Sequence, residues 1–272
     1  MFLAAPLAQG DEYRTFESDG TRLAYVDEGS GTPVLFLHGF QGSFVQGLAP
    51  VADALKGEFR IVGLDQRGHG RSDRPHGEHD YGLHFADDVL NLMNERGIDK
   101  AHLVGHSMGG ITAMYLAAHF PQRFHSVTTI GNGLFTNTEL RLVGWLFRGK
   151  FLWIEFKSLL GIGAPPDPQQ DLQADRRIVA SLQALTVTPT EAAAIRLPVL
   201  AARGGPDDDP NDTVERLVAT NAAVQKLRIE SADHMTILAD RAFLGALKDF
   251  LTAHSPPPAS AGAGETNGGA QP

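Results

Sequence analysis

The sequence predicts an α/β fold: a mostly parallel mixed sheet with helices on both faces and a small helical cap. Three observations predict it. Short apolar, β-branched runs alternate with longer stretches of helical period, as expected of βαβ units whose strands are buried on both sides. The chain has 272 residues, 42% of them hydrophobic, which suffices for one large core. The alternation fails once, between Gly133 and Ala194, where both tryptophans fall and no strand signal appears. An insertion between two sheet strands is expected there.

The elements follow in order. TFES and TRLAYVDEG flank Asp19-Gly20 and read as a hairpin that adds antiparallel edge strands. VLFLHGF (Val34 to Phe40) and FRIVGLD (Phe59 to Asp65) read as buried strands separated by a helix around Leu48 to Leu55. Phe85, Val89, Leu92 and Met93 recur at the spacing of one buried helix face, ahead of the strand AHLVGHS, Ala101 to Ser107. ITAMYLAAHF continues as a helix, and SVTTIGN (Ser126 to Asn132) as the next strand. After the insertion come the strand PVLAARG (Pro198 to Gly204), a helix near Asp212 to Ala222, the strand KLRIES (Lys226 to Ser231) and a last helix from Arg241 to Ala253.

This divides the chain into a leader (1–12), a core (13–134 and 195–254), a cap (135–194) and a Pro/Gly/Ala/Ser tail (255–272) with too little to bury to offset its ordering entropy. The leader lacks a basic n-region and a full apolar stretch. A trimmed export signal and an ordinary flexible leader stand level, so the expected protein is soluble, cytoplasmic or exported. No run approaches the ~20 apolar residues that span a bilayer. A formal charge of -9, with only Arg67, Arg71 and Arg74 loosely grouped, offers no footprint for nucleic acid or an anionic membrane. The absence of cysteine excludes disulfides, a thiolate nucleophile and thiolate metal sites. No ligand cluster suggests a metal, and no cofactor is expected.

LVGHSMGG (Leu103 to Gly110) sets a serine on a sharp strand-to-helix turn that only small neighbours tolerate. Ser107 is thereby held out at the carboxyl end of the sheet, where the start of the next helix offers unpaired N–H groups. The alternative is a glycine-rich turn with an incidental serine. A serine needs a base, an orienting acid and an oxyanion hole. The HGF segment can aim the Phe40 amide beside that of Met108. SADHMTIL places His234 after the KLRIES strand, within reach of the same edge. PVLAARGGPDDDP offers Asp207, Asp208 and Asp209; Asp207 is favoured because the acid must follow the strand at once, and an N-cap or solvated turn is the plain alternative for this run.

These residues resemble the α/β-hydrolase superfamily, in its esterase/lipase-like serine branch, over roughly Gly20 to Ala253. GHSMGG, DQRGHGRSD (Asp65 to Asp73) and PVLAARGGPDD occur in the family's order. The resemblance implies an α/β-hydrolase fold with Ser107 as nucleophile, Asp207 as acid, His234 as base and the Phe40 and Met108 amides as oxyanion hole. GGPDDDP carries more acids than that segment usually has. Asn132 is not an acid, so the alternative acid site at the end of the preceding strand is closed. Branches with an Asp nucleophile, haloalkane dehalogenases and epoxide hydrolases, are discounted by Ser107.

The implied reaction is hydrolysis of a small-molecule carboxylic ester of small to medium apolar character through an acyl-enzyme. Alternatives are a C–C bond hydrolase or perhydrolase with the same triad, or a slow-turnover receptor. His38, which also braces its loop, Trp145 and Trp153 are the candidate substrate-binding residues. The apolar cap residues around the tryptophans serve either as a pocket or as glue to the core.

Overall fold

A computed structural model of the chain describes residues 13–159, 171–205 and 212–257, with the side chains of residues 148, 151 and 153–159 outside the described set. The predicted leader, the predicted tail beyond residue 257, Asp207, Asp208 and Asp209, and the Trp153 side chain therefore lie outside the described residues.

Eight strands form one sheet in the order β1-β2-β4-β3-β5-β6-β7-β8. β1 (Arg14–Ser18) and β2 (Thr21–Glu28) make the antiparallel hairpin, turning through Asp19 and Gly20 at positive φ. β2 runs antiparallel to β4 (Phe59–Leu64), and every later pairing is parallel. The inner strands β3 (Thr32–Leu37), β5 (Ala101–His106), β6 (Phe124–Ile130) and β7 (Val199–Arg203) are buried almost throughout. Both faces are covered, so these strands are rich in apolar residues, and several polar ones, His102, His106, Ser126, Thr128 and Thr129, are buried with them. β8 (Gln225–Arg228) closes one edge and is mostly exposed.

Side chains alternate between two cores, as strand geometry requires. Leu35, Leu37 and Leu103 pack with Phe85, Val89 and Leu92 of α2 (His84–Glu95) and with Met114 and Leu116 of α3 (Met108–His119). Val34, Phe36 and Val104 face the other way, onto Val51 of α1 (Ala49–Asp53) and Phe243, Leu247 and Leu251 of α8 (Arg241–Ala253). Between β6 and β7 stand α4 (Asn137–Leu159), α5 (Leu172–Ser181), a 3-10 turn (Leu182–Leu185) and α6 (Pro189–Ala194). Glu139 of α4 ties this group to Arg216 of α7 (Thr213–Thr220) at 2.6 and 2.9 Å. Among the described residues, no helix is long and apolar enough to cross a membrane.

Each parallel strand stops short of its predicted end: at Leu37, Leu64, His106, Ile130, Arg203 and Arg228 rather than Phe40, Asp65, Ser107, Asn132, Gly204 and Ser231. Asp65, Ser107, Gly131 and Ile229, just past these ends, still give their amides to the neighbouring strands, at Ala24, Ile130, Ala202 and Arg203. The helix predicted around Leu48 to Leu55 is a π-helical turn (Phe44–Leu48) leading into the short α1. Ser43 Oγ caps that turn by accepting the Gln46 amide at 3.2 Å. Asp212, an acid directly before Thr213-Val214 that suits an N-cap by sequence, stands ahead of α7 in a left-handed conformation and makes no side-chain cap bond.

The loop after β4 is fixed by a buried ion pair. Arg67 donates to both oxygens of Asp88 at 2.6 Å, each side chain 1% exposed, and Ser18 adds a hydroxyl to the same carboxylate at 2.6 Å. Removing one partner of such a pair leaves a buried uncompensated charge, at about 3–5 kcal/mol. Asp88→Asn is expected to lower unfolding stability by about that amount, read as a lower urea midpoint at unchanged m-value; a loss below about 1 kcal/mol contradicts the assignment.

Candidate active site at the β5–α3 turn

Ser107 sits between β5 and α3 at φ 51, ψ -116, a positive-φ conformation costing a non-glycine residue about 1–3 kcal/mol. Surrounding bonds hold it there. Its amide donates to Ile130 O at 2.9 Å, and its carbonyl accepts from Gly110 N at 2.9 Å, from Ile111 N at 3.2 Å and from Asn132 Nδ2. Thr129 Oγ1 donates to Asn132 Oδ1 at 2.5 Å and so turns the amide nitrogen toward Ser107. The glycines are needed for close approach: a Cβ on Gly105 would overlap the Gly109 carbonyl, and one on Gly109 the Leu37 carbonyl. As first residue of α3, Met108 directs its N–H out of the helix with no intrahelical acceptor.

His234 arrives from the other side. After β8, Ile229 N bonds Arg203 O at 3.0 Å and Gly205 N bonds Ala232 O at 2.7 Å, which carries the chain back along the end of β7. Asp233 then folds the turn by accepting from Met235 N (2.9 Å), Thr236 N (2.8 Å) and the Thr236 hydroxyl (2.9 Å). These bonds hold its carboxyl below the usual range, the Thr236 amide contributing most. The half-buried His234 ring lies over Gly131, where a Cβ would come within 2.5 Å of Cε1. Gly131 directly follows Ile130, whose carbonyl binds the Ser107 amide. Ser107 and His234 therefore rest on adjacent residues, Ile130 and Gly131, where β6 ends.

The loop after β3 completes the enclosure. Gly39 packs on the turn so closely that a Cβ would stand 3.3 Å from Ser107 Cβ. The half-buried Phe40 ring meets His69 and Phe147 edge-on, both at 5.7 Å, and Gln41 Nε2 donates to Asp175 Oδ2 of α5 at 2.8 Å. This loop thus joins the turn to the helices between β6 and β7. Asp65, fully buried, organises the loop after β4: Oδ1 accepts from Phe44 N at 2.8 Å and Oδ2 from Arg71 N at 2.9 Å.

Two residues expected to bind substrate lie as follows. His38 is 0% exposed; Nδ1 donates to Gly39 O at 2.8 Å and Nε2 accepts from Gln66 N at 3.0 Å, so both nitrogens are spent bracing the loops. Trp145 is 69% exposed. Gly144 of α4 is the residue pressed onto Val179 of α5, and one position further on the side chain is carried about 100° round the helix to solvent. The expected acid, Asp207 or a neighbour, and Trp153 lie outside the described side chains. The structure brings Ser107, Met108, Phe40 and His234 to one place. Asn132, Gly131, His106 and Phe147 belong to that place too; in the sequence Asn132 stands out only as the lack of an acid and His106 only as a member of GHSMGG, and Gly131 and Phe147 carry no pattern that marks them. Among the described residues, the grouping with metal-ligand spacing is Asp19, His84 and Asp87, at the β1–β2 turn far along the sheet, where His84 Nδ1 already pairs with Asp19 at 3.3 Å.

The buried imidazoles set a pH limit. Burial lowers His38, against a pull from Asp65; burial takes His69 to about 3, helped by His38; burial takes His102 to about 3, helped by His125. Above pH 6.5 these rings are neutral in folded and unfolded chains alike; below it only the unfolded chain takes up the protons. Each ring then costs up to about 1.4 kcal/mol of stability per pH unit until its folded pKa is reached. The urea midpoint is expected to fall steadily from pH 6.5 toward pH 4, and His102→Gln to flatten that fall; a midpoint constant over this window is the contrary result.

A family model described as alpha/beta hydrolase fold matches residues 32–157. The chain is 41% identical over 122 residues to the dihydrolipoyllysine-residue acetyltransferase component of the acetoin cleaving system of Cupriavidus necator, covering 43% of this chain and 31% of that protein. It spans about a third of that relative's length. It is 30% identical over 201 residues to 3-oxoadipate enol-lactonase 1 of Acinetobacter baylyi, covering 72% of this chain and 69% of that one. A thermophilic esterase from Thermogutta terrifontis superposes with a TM-score of 0.70 at 20% identity, over 90% of this chain and 100% of the other, a likeness of fold.

Proposed function

We propose, from the premise that this chain belongs to the α/β-hydrolase superfamily, that it hydrolyses carboxylic esters of small to medium apolar character through a seryl acyl-enzyme. The observation that carries the reading is the strained Ser107, held at φ 51 with its amide on Ile130 and the His234 ring over the adjoining Gly131. Strain of this kind persists only where surrounding bonds impose it, and it exposes the hydroxyl to a reacting carbonyl. His234 takes the hydroxyl proton as Ser107 Oγ bonds to the ester carbon. The Met108 and Phe40 amides receive the charge that develops on the carbonyl oxygen. The alcohol leaves with the proton from His234, and water then repeats both steps to release the acid. A carboxylate of the Asp207–Asp209 run orients the imidazole.

The substrate class is read from the apolar lining one turn along α3 from the serine. Ile111, one turn beyond Ser107, stands with Met114, Leu134, Phe135, Leu140 and Val187 around a narrow apolar crevice between α3, the chain after β6 and α4. An apolar acyl group gains roughly 0.8 kcal/mol for each methylene buried there, and a charged one loses its hydration. The enol-lactonase of Acinetobacter baylyi, by its name, opens an ester within a ring, a bond of the same class.

Turnover of p-nitrophenyl esters from acetate to octanoate, with fluorophosphonate labelling, tests the reading. Ser107→Ala is expected to abolish labelling and to lower kcat by at least about a thousandfold. Retention of either sinks the seryl mechanism. Leu140→Ala widens the pocket and is expected to move the preferred acyl chain to greater length; an unchanged preference places the acyl group elsewhere. Replacing Asp207, Asp208 and Asp209 by Asn one at a time is expected to collapse kcat at Asp207, and a collapse at a neighbour reassigns the acid.

A further inference from the structure

We infer that His106, the residue between Gly105 and the serine, is a positioning residue that holds the His234 loop and the Gly39–Phe40 loop at a fixed separation around Ser107. This rests on the reading of Ser107 and His234 as the catalytic pair. His106 ends β5 opposite Ile130 and is 3% exposed. Its Nε2 lies 2.9 Å from the His234 carbonyl. A carbonyl only accepts, so Nε2 carries the proton and donates. The two rings pack with centroids 4.7 Å apart and planes inclined at 42°. On its other edge, Nδ1 and Cε1 of His106 lie 3.1 and 3.5 Å from where a Gly39 Cβ would stand. One ring therefore touches the loop that carries the base and the loop that carries the Phe40 amide, and its backbone is joined to the nucleophile.

Asp233 organises the chain on the far side of His234, through residues 235 and 236, and Gly131 lies under the ring. The His106 donor reaches the His234 main chain itself. Proton transfer depends on heavy-atom distances held to within a few tenths of an ångström, so a base loop freed at this point loses rate in the chemical step rather than in substrate affinity. The ring also explains why the turn tolerates a bulky residue among glycines: it faces the two loops, while the approaches that demand glycine involve main chain of Leu37 and Gly109.

Three variants test this with p-nitrophenyl acetate turnover, the rate of fluorophosphonate inactivation and urea unfolding. His106→Phe keeps a ring and loses the donor; it is expected to lower kcat and the inactivation rate about tenfold, the worth of one neutral hydrogen bond, with KM within about twofold. His106→Gln restores a donor at similar reach and is expected to return kcat to within about threefold of the parent. If His106→Phe does not fold, His106→Leu supplies the same contrast with His106→Gln. A donor-less variant with kcat within threefold of the parent, a glutamine variant no better than it, or a loss confined to KM overturns the assignment. Ser107→Ala separates the two readings. If it is inactive while His106→Phe is as fast as the parent, the positioning role alone falls; if it retains turnover, both fall.

Discussion

Three stretches of main chain meet at the β5–α3 turn with no room for a side chain between them. Gly105 lies against the Gly109 carbonyl, Gly109 against the Leu37 carbonyl at the end of β3, and Gly110 against the Asn132 side chain after β6. This close approach dictates the rest of the region. It forces Ser107 into its positive-φ conformation, and the cost is offset by bonds available only because β3 and β6 flank β5 in the sheet. The sheet order thus acts on the chemistry directly, since a different neighbour of β5 would leave the serine carbonyl without Asn132 and its amide without Ile130.

The loops that surround the turn are held by polar groups buried with it. His38 accepts the Gln66 amide, Gln66 returns a bond to the His38 carbonyl at 2.7 Å, and Asp65 collects amides from residues 44 and 71. Such networks are costly when partly satisfied and rigid when complete. They bind the loop after β3 to the loop after β4, so the Phe40 amide is carried on a braced support. Gln41–Asp175 and Phe40–Phe147 extend that support to the helices inserted between β6 and β7. The insertion is coupled to the loop after β3 through two side chains on adjacent residues.

The fold was legible because strands buried on both faces are dominated by apolar residues, and the runs beginning at Val34, Phe59 and Ala101 are, with Arg60, His102 and His106 as the polar members of β4 and β5. Their ends were not legible, for a physical reason: the residues just past them, His38, Asp65 and Ser107, continue the same local pattern and are held by partners distant in sequence. Ser107 was legible because its steric demand is local and falls on Gly105 and Gly109. Asn132 was not. Its value lies in reaching a carbonyl 25 residues away, and alone it shows only that an acid is missing. The orientation of Trp145 was not legible either, since it follows from the helix phase set by Gly144 against Val179, which turns the side chain outward.

Eleven histidines are indistinguishable by type, and their environments sort them. His38 has a donor and an acceptor role already filled inside the protein, and His69 gives its Nδ1 to the Arg67 carbonyl at 3.0 Å while burial depresses its pKa to about 3. A ring that resists protonation this strongly cannot receive the serine proton near neutral pH. His106 commits its Nε2 proton to the His234 backbone, and a ring whose proton is held by a fixed carbonyl serves geometry better than transfer. His234 differs in kind. It is half-buried, carried on a loop braced from three directions, and seated over the one residue that joins it to the Ser107 anchor. The neighbouring imidazoles are fixed as scaffolding, and His234 is left as the ring to which the proposed mechanism gives the serine proton.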